Sequence, residues 1–272
     1  MAKILTLEDF RSEIDVIDNK IINLLAARMA VIARVAKFKR KNNYKFFIRS
    51  AREADMIKDL QKKCDFSFPK SAIFDIWRKI ISSSNFVEQN LKITIHNPKN
   101  IPDYFYLARQ YYGDFFPINS NKSAKNIISQ INKNQIQIGI FALKEETKNQ
   151  SWWSILSNSK SEAKIFALIA KANSKEKAIH TQNDLFLVAS KEAEKSQQDN
   201  SLLTLEVSKK FPKKDILSTL KKANLKAKIL DQQTTLYLIE LKGFYDNRSK
   251  EITTLKNNFD LKVKIIGNYP VL

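Results

Sequence analysis

Residues 6–40 read TLEDFRSEIDVIDNKIINLLAARMAVIARVAKFKR. The stretch contains neither Gly nor Pro, and Thr6 followed by Asp9 makes a capping-box-like start. Apolar residues recur at Ile14, Ile17, Ile21, Leu24, Val31, Val35 and Phe38 in alternating three- and four-residue steps. That spacing predicts one long helix with a single apolar seam. The step between Leu24 and Val31 falls on Arg28. A guanidinium in such a seam is costly unless an anion meets it there. Arg11, one step before Ile14, and Lys39, one turn past Val35, add two cations on nearly the same face.

At about 1.5 Å per residue this helix is about 50 Å long. Its seam can be buried only against comparably long partners, from the same chain or from another copy of it. A second helix is expected from Ser50 to Lys63, with Met56, Ile57 and Leu60 as its apolar set and Arg52 and Glu53 near the buried side. A third begins at Pro69, with Ile73, Ile76, Trp77, Ile80 and Ile81 inward and Ser84 and Glu88 at following four-residue steps. Four cations on such faces, Arg11, Arg28, Lys39 and Arg52, imply a small anion with more than one carboxylate held inside a helical bundle. The residues alone leave blander accounts open. Arg11 and Arg34 can be solvated, Lys39 can complement the helix dipole, and Arg28 can pair with Asp18 or Glu53.

At Leu91 the pattern changes to the alternating LKITIH, and Pro98 and Pro102 follow, which places a domain boundary there. A helix over 123–132 leads to the apolar strand IQIGIFAL (136–143), the acidic turn Glu145-Glu146 and the pair Trp152-Trp153. AKIFALIAKA (163–172) and DLFLVAS (184–190) read as further strands of an α/β segment. EAEKSQQDN (192–200) is polar and aperiodic and reads as a linker. From Ser201 the order strand, helix, strand, strand, helix, strand suits a ferredoxin-like βαββαβ domain.

The formal charge is +19, but it is dispersed, and the tightest run is KFKRK (37–41). A basic solvated surface is favoured over a nucleic-acid face, because a polyanion needs its cations outside rather than in a seam. Cys64 is the only cysteine, and His96 and His180 have no Cys or His ligand near them, which argues against a disulfide framework or a metal. No long apolar run or signal-peptide pattern is present, so a cytoplasmic protein is expected. No Walker loop, dinucleotide fingerprint or nucleophile suggests a cofactor.

FRSEIDVIDNKIINLLAARMAVIARVAKFK, IRSAREADMIKDL and IWRKIISSSNFVEQ together resemble the all-helical chorismate mutases across residues 10–90. The shared pattern is an Arg, Ile-Asp and Asp-Ile repeats, Leu-Leu-x-x-Arg, Val-x-x-x-Lys, Arg-Glu and a late serine. The resemblance implies an all-α, three-helix domain over 1–91, an intertwined homodimer through the first helix, and cofactor-independent rearrangement of chorismate to prephenate. It implies that Arg28 and Arg52 bind substrate carboxylates, with Arg11 reaching in from the partner subunit. Lys39 would donate to the ether oxygen, Glu53 would hold the substrate hydroxyl, and Ser84 would contact a carboxylate. Where the family usually has Gln, this chain has Glu88, with Gln89 next. To donate to an ether oxygen Glu88 must carry a proton, so activity should fall as pH rises, unless Gln89 faces the site instead. Arg49 stands where many relatives carry an acid.

LYLIELKGFYDN and VKIIGNYP are similar to the C-terminal ACT domain of prephenate dehydratases, and IGIFALKEE precedes a paired tryptophan where those enzymes carry a catalytic stretch. The implied organisation is a degenerate dehydratase-like α/β domain over 92–195 and an ACT-like domain over 200–272, for which a plain role in dimer stability or solubility is favoured over binding an aromatic amino acid effector. The catalytic Thr-Arg-Phe is missing, its nearest counterpart being Thr181-Gln182-Asn183, and the effector motifs Gly-Ala-Leu and Glu-Ser-Arg-Pro are replaced. Dehydratase activity is therefore not expected. A bifunctional mutase–dehydratase, and a basic regulatory or nucleic-acid-binding protein keeping only the mutase fold, are the alternatives.

Overall fold

A computed structural model of the chain describes residues 6–44, 46–64, 68–143, 151–158, 160–169, 184–207, 212–259 and 261–272. The acidic pair Glu145-Glu146, His180 and Thr181-Gln182-Asn183 lie outside these residues.

Helix α1 (Leu7–Lys41) starts at the expected capping box: Thr6 Oγ1 accepts from the Asp9 amide at 3.2 Å, and the Asp9 carboxylate accepts from the Thr6 amide at 2.8 Å. Lys39, Arg40 and Lys41 occupy its last turn, where cations suit the helix dipole. Helices α2 (Ser50–Lys63) and α3 (Lys70–Glu88) follow, and both α1 and α2 pack against α3.

The expected seam of α1 is not what the chain itself buries. Ile14, Ile17, Ile21 and Leu24 are 50–70% exposed, and Val31 and Phe38 are exposed as well. The face turned inward is Leu25, Arg28, Met29, Ile32, Val35, Ala36 and Lys39, all in the second half of the helix. Helices α2 and α3 are too short to cover both halves, so among the described residues no helix lies against the N-terminal half. On α2 the inward stripe consists of Ser50, Ala51, Glu53, Ala54 and Ile57, which leaves Arg52 exposed and Met56 and Leu60 half-buried. On α3 Ile76 is exposed, while Arg78, Ser82 and Asn85 are buried.

Among the described residues the remainder is built on one mixed sheet of nine strands. Its first part runs β1 (Ile93–His96), α4 (Pro102–Tyr112), β2 (Ile118–Asn121), α5 (Ala124–Asn132), β3 (Ile138–Ala142), α6 (Trp152–Leu156), β4 (Lys164–Ile169) and β5 (Leu185–Ala189). Strand β1 pairs in parallel with β2 and β3, and β5 is antiparallel to β3 and β4. Strands β3 and β5 are buried throughout, which is why they read as continuous apolar runs. The second part is β6 (Asp199–Glu206), α7 (Lys213–Lys222), β7 (Ala227–Gln233), β8 (Leu236–Lys242), α8 (Lys250–Phe259) and β9 (Lys262–Pro270). Its strand order β9-β6-β8-β7 is the ferredoxin-like arrangement expected of βαββαβ.

The two parts join where β9 pairs in parallel with β4 at Ile165 and Gly267. Gly267 has φ +157°, and a Cβ there would collide with backbone atoms of Ile165, so only glycine lets the strands approach. One apolar cluster continues across the junction. It holds Trp152, Phe186 and Val188 from the first part and Leu202, Leu238, Ile266 and Tyr269 from the second.

Residues 192–200 are not the free linker their polarity suggests. They form a strap held against the helical domain and run directly into β6. Glu194 pairs with Arg49 at 2.9 Å, the Gln197 amide donates to Asp55 Oδ1 at 2.9 Å, and Asp199 is buried. Polar residues dominate there because their partners are the polar groups at the edge of α2. No described helix is long and apolar enough to cross a membrane.

Candidate active site

The inward half of α1 meets α3 through two cations. Arg28 Nη1 makes a short hydrogen bond to Ser84 Oγ, which itself donates to the Ile80 carbonyl at 2.7 Å and has Met29 Sδ at 3.9 Å. Lys39 Nζ makes a short ion pair with Glu88 and donates to the Phe47 carbonyl at 3.2 Å, with the Phe47 ring centroid 4.9 Å away. Ser84 and Glu88 lie one turn apart on α3, about 6 Å along its axis. A guanidinium and an ammonium thus converge on neighbouring turns of one helix. Arg40 Nη1 also donates to the Glu88 carbonyl at 3.2 Å, closing the end of α3.

Both cations are withdrawn from water. Burial pushes the Arg28 guanidinium below its ordinary value, with nearby Glu88 opposing the shift and Arg52 adding to it. An anion entering between α1 and α3 would offset both the desolvation cost of Arg28 and its repulsion from Arg52. Glu88, 7% exposed, is the residue turned toward Lys39. Gln89 Oε1 accepts from the Phe47 amide at 3.1 Å in the α1–α2 loop.

The remaining candidates lie around this slot. Glu53 sits on the adjoining stripe of α3 contacts, with Arg78 Nη1 at 2.9 Å and Asn85 Nδ2 at 3.2 Å. Arg52, exposed, lines an open groove of about 510 Å³ with Arg49, Asp55, Lys63 and Glu194. Arg11 is far from all of them. Its side chain is 71% exposed and pairs with Glu8 at 3.4 Å. Along α1 it lies about 26 Å from Arg28 at about 1.5 Å per residue. Within one chain Arg28, Lys39, Ser84 and Glu88 come together, Glu53 and Arg52 flank them, and Arg11 does not approach.

Two residues with no assigned role stand at this site. Arg78 is 2% exposed and carries the counter-charge of Glu53. Lys191, just past β5, makes a short hydrogen bond to the Ile48 carbonyl and lies 5.3 Å from the Phe46 ring centroid. Burial lowers its pKa, which Glu194 and Glu53 partly offset. A cation on an apolar helix is the signal that singles out Arg28, and it applies equally to Arg78 beside Trp77 and Ile81. Lys191 has no such signal, because its burial comes from the meeting of two parts of the chain.

Among the solved structures that resemble the chain at low level are three. GqqA, described as a novel type of quorum quenching acylase, is 10% identical with a TM-score of 0.44, covering 66% of this chain and 95% of that one. A Streptococcus mutans prephenate dehydratase is 11% identical with a TM-score of 0.42, covering 66% and 97%. An Arthrobacter aurescens prephenate dehydratase in complex with L-Phe is 9% identical with a TM-score of 0.45, covering 67% and 92%. Likeness this weak carries no argument about activity or ligand. Among curated proteins none matches the sequence. The family model for chorismate mutase type II matches residues 10–89. That span holds α2, α3, all of α1 but its first three residues, and every residue of the slot between them, and this segment of the chain is a chorismate mutase type II domain.

Proposed function

We propose that the helical domain rearranges chorismate to prephenate in the slot between α1 and α3, as a step of phenylalanine and tyrosine synthesis. The observation that carries the assignment of the site is the convergence of half-buried Arg28 and Lys39 on Ser84 and Glu88. The reaction is unimolecular, so the protein needs neither a nucleophile nor a cofactor. It has to hold the compact conformer and meet the charge that develops as the C–O bond breaks. Arg28 and Ser84 take one carboxylate, and Arg52 takes part in binding the dianion from the flank. Glu53 accepts the substrate hydroxyl. Lys39 donates to the ether oxygen, which gains negative charge in the transition state. Glu88 faces the same oxygen, and to donate there it must be protonated, so the Lys39–Glu88 pair opens when substrate enters.

The proposal includes a homodimer. The apolar residues of the N-terminal half of α1, from Leu7 to Leu24, are exposed in the single chain, and a second copy would cover them. The same pairing would bring the partner subunit's Arg11 to the slot that Arg11 cannot reach in its own chain. A cytoplasmic setting suits a chain whose lone cysteine is Cys64. An aromatic amino acid is the proposed effector of the βαββαβ part.

Purified protein is tested for chorismate consumption, with phenylpyruvate followed in parallel and with phenylalanine or tyrosine added. Prephenate without phenylpyruvate is the expected product. Phenylpyruvate would establish the bifunctional alternative instead. Salt-dependent DNA affinity without turnover would establish the nucleic-acid-binding alternative.

A further inference from the structure

Beside the α1–α3 slot Glu53 belongs to a buried polar cluster whose other members have no role above. Arg78 Nη1 donates to Glu53 Oε2 at 2.9 Å, and Asn85 Nδ2 donates to Glu53 Oε1 at 3.2 Å. The Arg78 guanidinium sits 4.0 Å from the centroid of the Tyr111 ring on α4, beyond the mutase segment. On the same stripe Ser82 makes a short hydrogen bond to the Tyr112 carbonyl. Nε and Nη2 of Arg78 are buried and have no hydrogen-bond partner among the described residues.

Stability alone gives little reason for this arrangement. A buried ion pair is commonly no better than apolar side chains of the same volume, and an under-satisfied one is worse. What it does is fix a carboxylate. Each oxygen of Glu53 is held by a different donor from α3, and each keeps lone-pair capacity for one more hydrogen bond. The ring of Tyr111 closes the far side of Arg78, so the guanidinium has one place to be.

We propose that Arg78 is a positioning residue for the rearrangement: it aims Glu53 at the substrate hydroxyl and supplies its counter-charge, with Tyr111 of the α/β region as the floor beneath it. This rests on the role proposed for Glu53. It also means that the mutase site is completed by an element outside the mutase segment, which gives the fused region a part in catalysis without chemistry of its own.

The test is steady-state kinetics of the full chain on chorismate across pH, with circular dichroism to confirm folding. Arg78→Met is expected to lower kcat/KM about 100-fold, the scale of a misplaced contact group. It should also add a limb that rises with pH. Without the guanidinium, Glu53 faces Asn85, Tyr111, Tyr112 and the more distant Lys191, and the uncompensated carboxylate takes up a proton. Arg78→Lys keeps the charge without the planar fork, so it should keep the wild-type pH profile and lose about tenfold in kcat/KM. Arg78→Met combined with Glu53→Gln should be no worse than Glu53→Gln alone. Wild-type kinetics in Arg78→Met would overturn the proposal, as would a loss that leaves the pH profile unchanged and adds to that of Glu53→Gln. Should Arg78→Met not fold, Arg78→Lys decides, and wild-type kcat/KM there counts against the positioning role. Glu53→Gln alone separates the two claims. If it is inert, the role of Glu53 falls; if it is impaired while the Arg78 variants are not, only the role of Arg78 falls.

Discussion

Replacing Ile17 and Ile21 by glutamine probes the proposed dimer without disturbing the protomer. Both side chains are about half exposed in the single chain, at 53% and 50%, and neither contributes to its core. Glutamine is as good a helix former as most apolar residues, so α1 itself should persist. Fully burying such a side chain contributes about 1.5–3 kcal/mol, and half of each remains to be gained on association, or about 0.75–1.5 kcal/mol. Two positions on each of two copies give about 3–6 kcal/mol, a rise in the dimer dissociation constant of about a hundred- to twenty-thousand-fold. Sedimentation equilibrium over a range of concentrations reads this directly. Chorismate turnover should fall with the dimer population, because the partner subunit's Arg11 leaves with it. A variant that sediments as wild type, or that turns over chorismate normally as a folded monomer, would refute both the pairing and the transfer of Arg11.

Two further substitutions test other parts of the structure. Glu88→Gln supplies a donor at every pH. Wild-type turnover should fall as pH rises, and the variant should be flat over the same range. A flat wild-type profile with an inert variant would remove Glu88 from the reaction. Gly267→Ala should destabilise the chain by at least about 2 kcal/mol through backbone strain and collision with β4. Denaturant unfolding monitored through Trp152 and Trp153, which belong to the apolar cluster crossing that junction, is the readout. An unchanged midpoint would mean that β4 and β9 do not need their close approach.

The helical domain was largely legible in the sequence because its signals are local. The capping box at Thr6 sets the start of α1, the Ser50–Lys63 bounds of α2 need no correction, and Arg28 is conspicuous among aliphatic steps. Which face is buried was less legible. The inward stripe of α2 includes the small residues Ser50, Ala51 and Ala54 beside Glu53 and Ile57, and the larger Met56 and Leu60 drew attention to the wrong side. Helix α4 escaped notice because Pro102 reads as a boundary. It occupies the first turn of the helix, where no amide hydrogen is required. Strand β2, INSN, is a polar edge strand with no apolar alternation. The role of the 192–200 strap and the burial of Arg78 depend on contacts between segments far apart in the chain, for which neither stretch carries a local mark.

The most direct measurement is the rate of chorismate loss with the purified 272-residue chain and its Arg28→Ala variant, each shown to be folded. The wild type should convert chorismate to prephenate without added cofactor or metal. The variant should lose at least about a hundredfold in kcat/KM, the cost of removing one preorganised charge donor. No turnover by the folded wild type, or equal turnover by both proteins, would contradict the assignment of the reaction to the slot between α1 and α3.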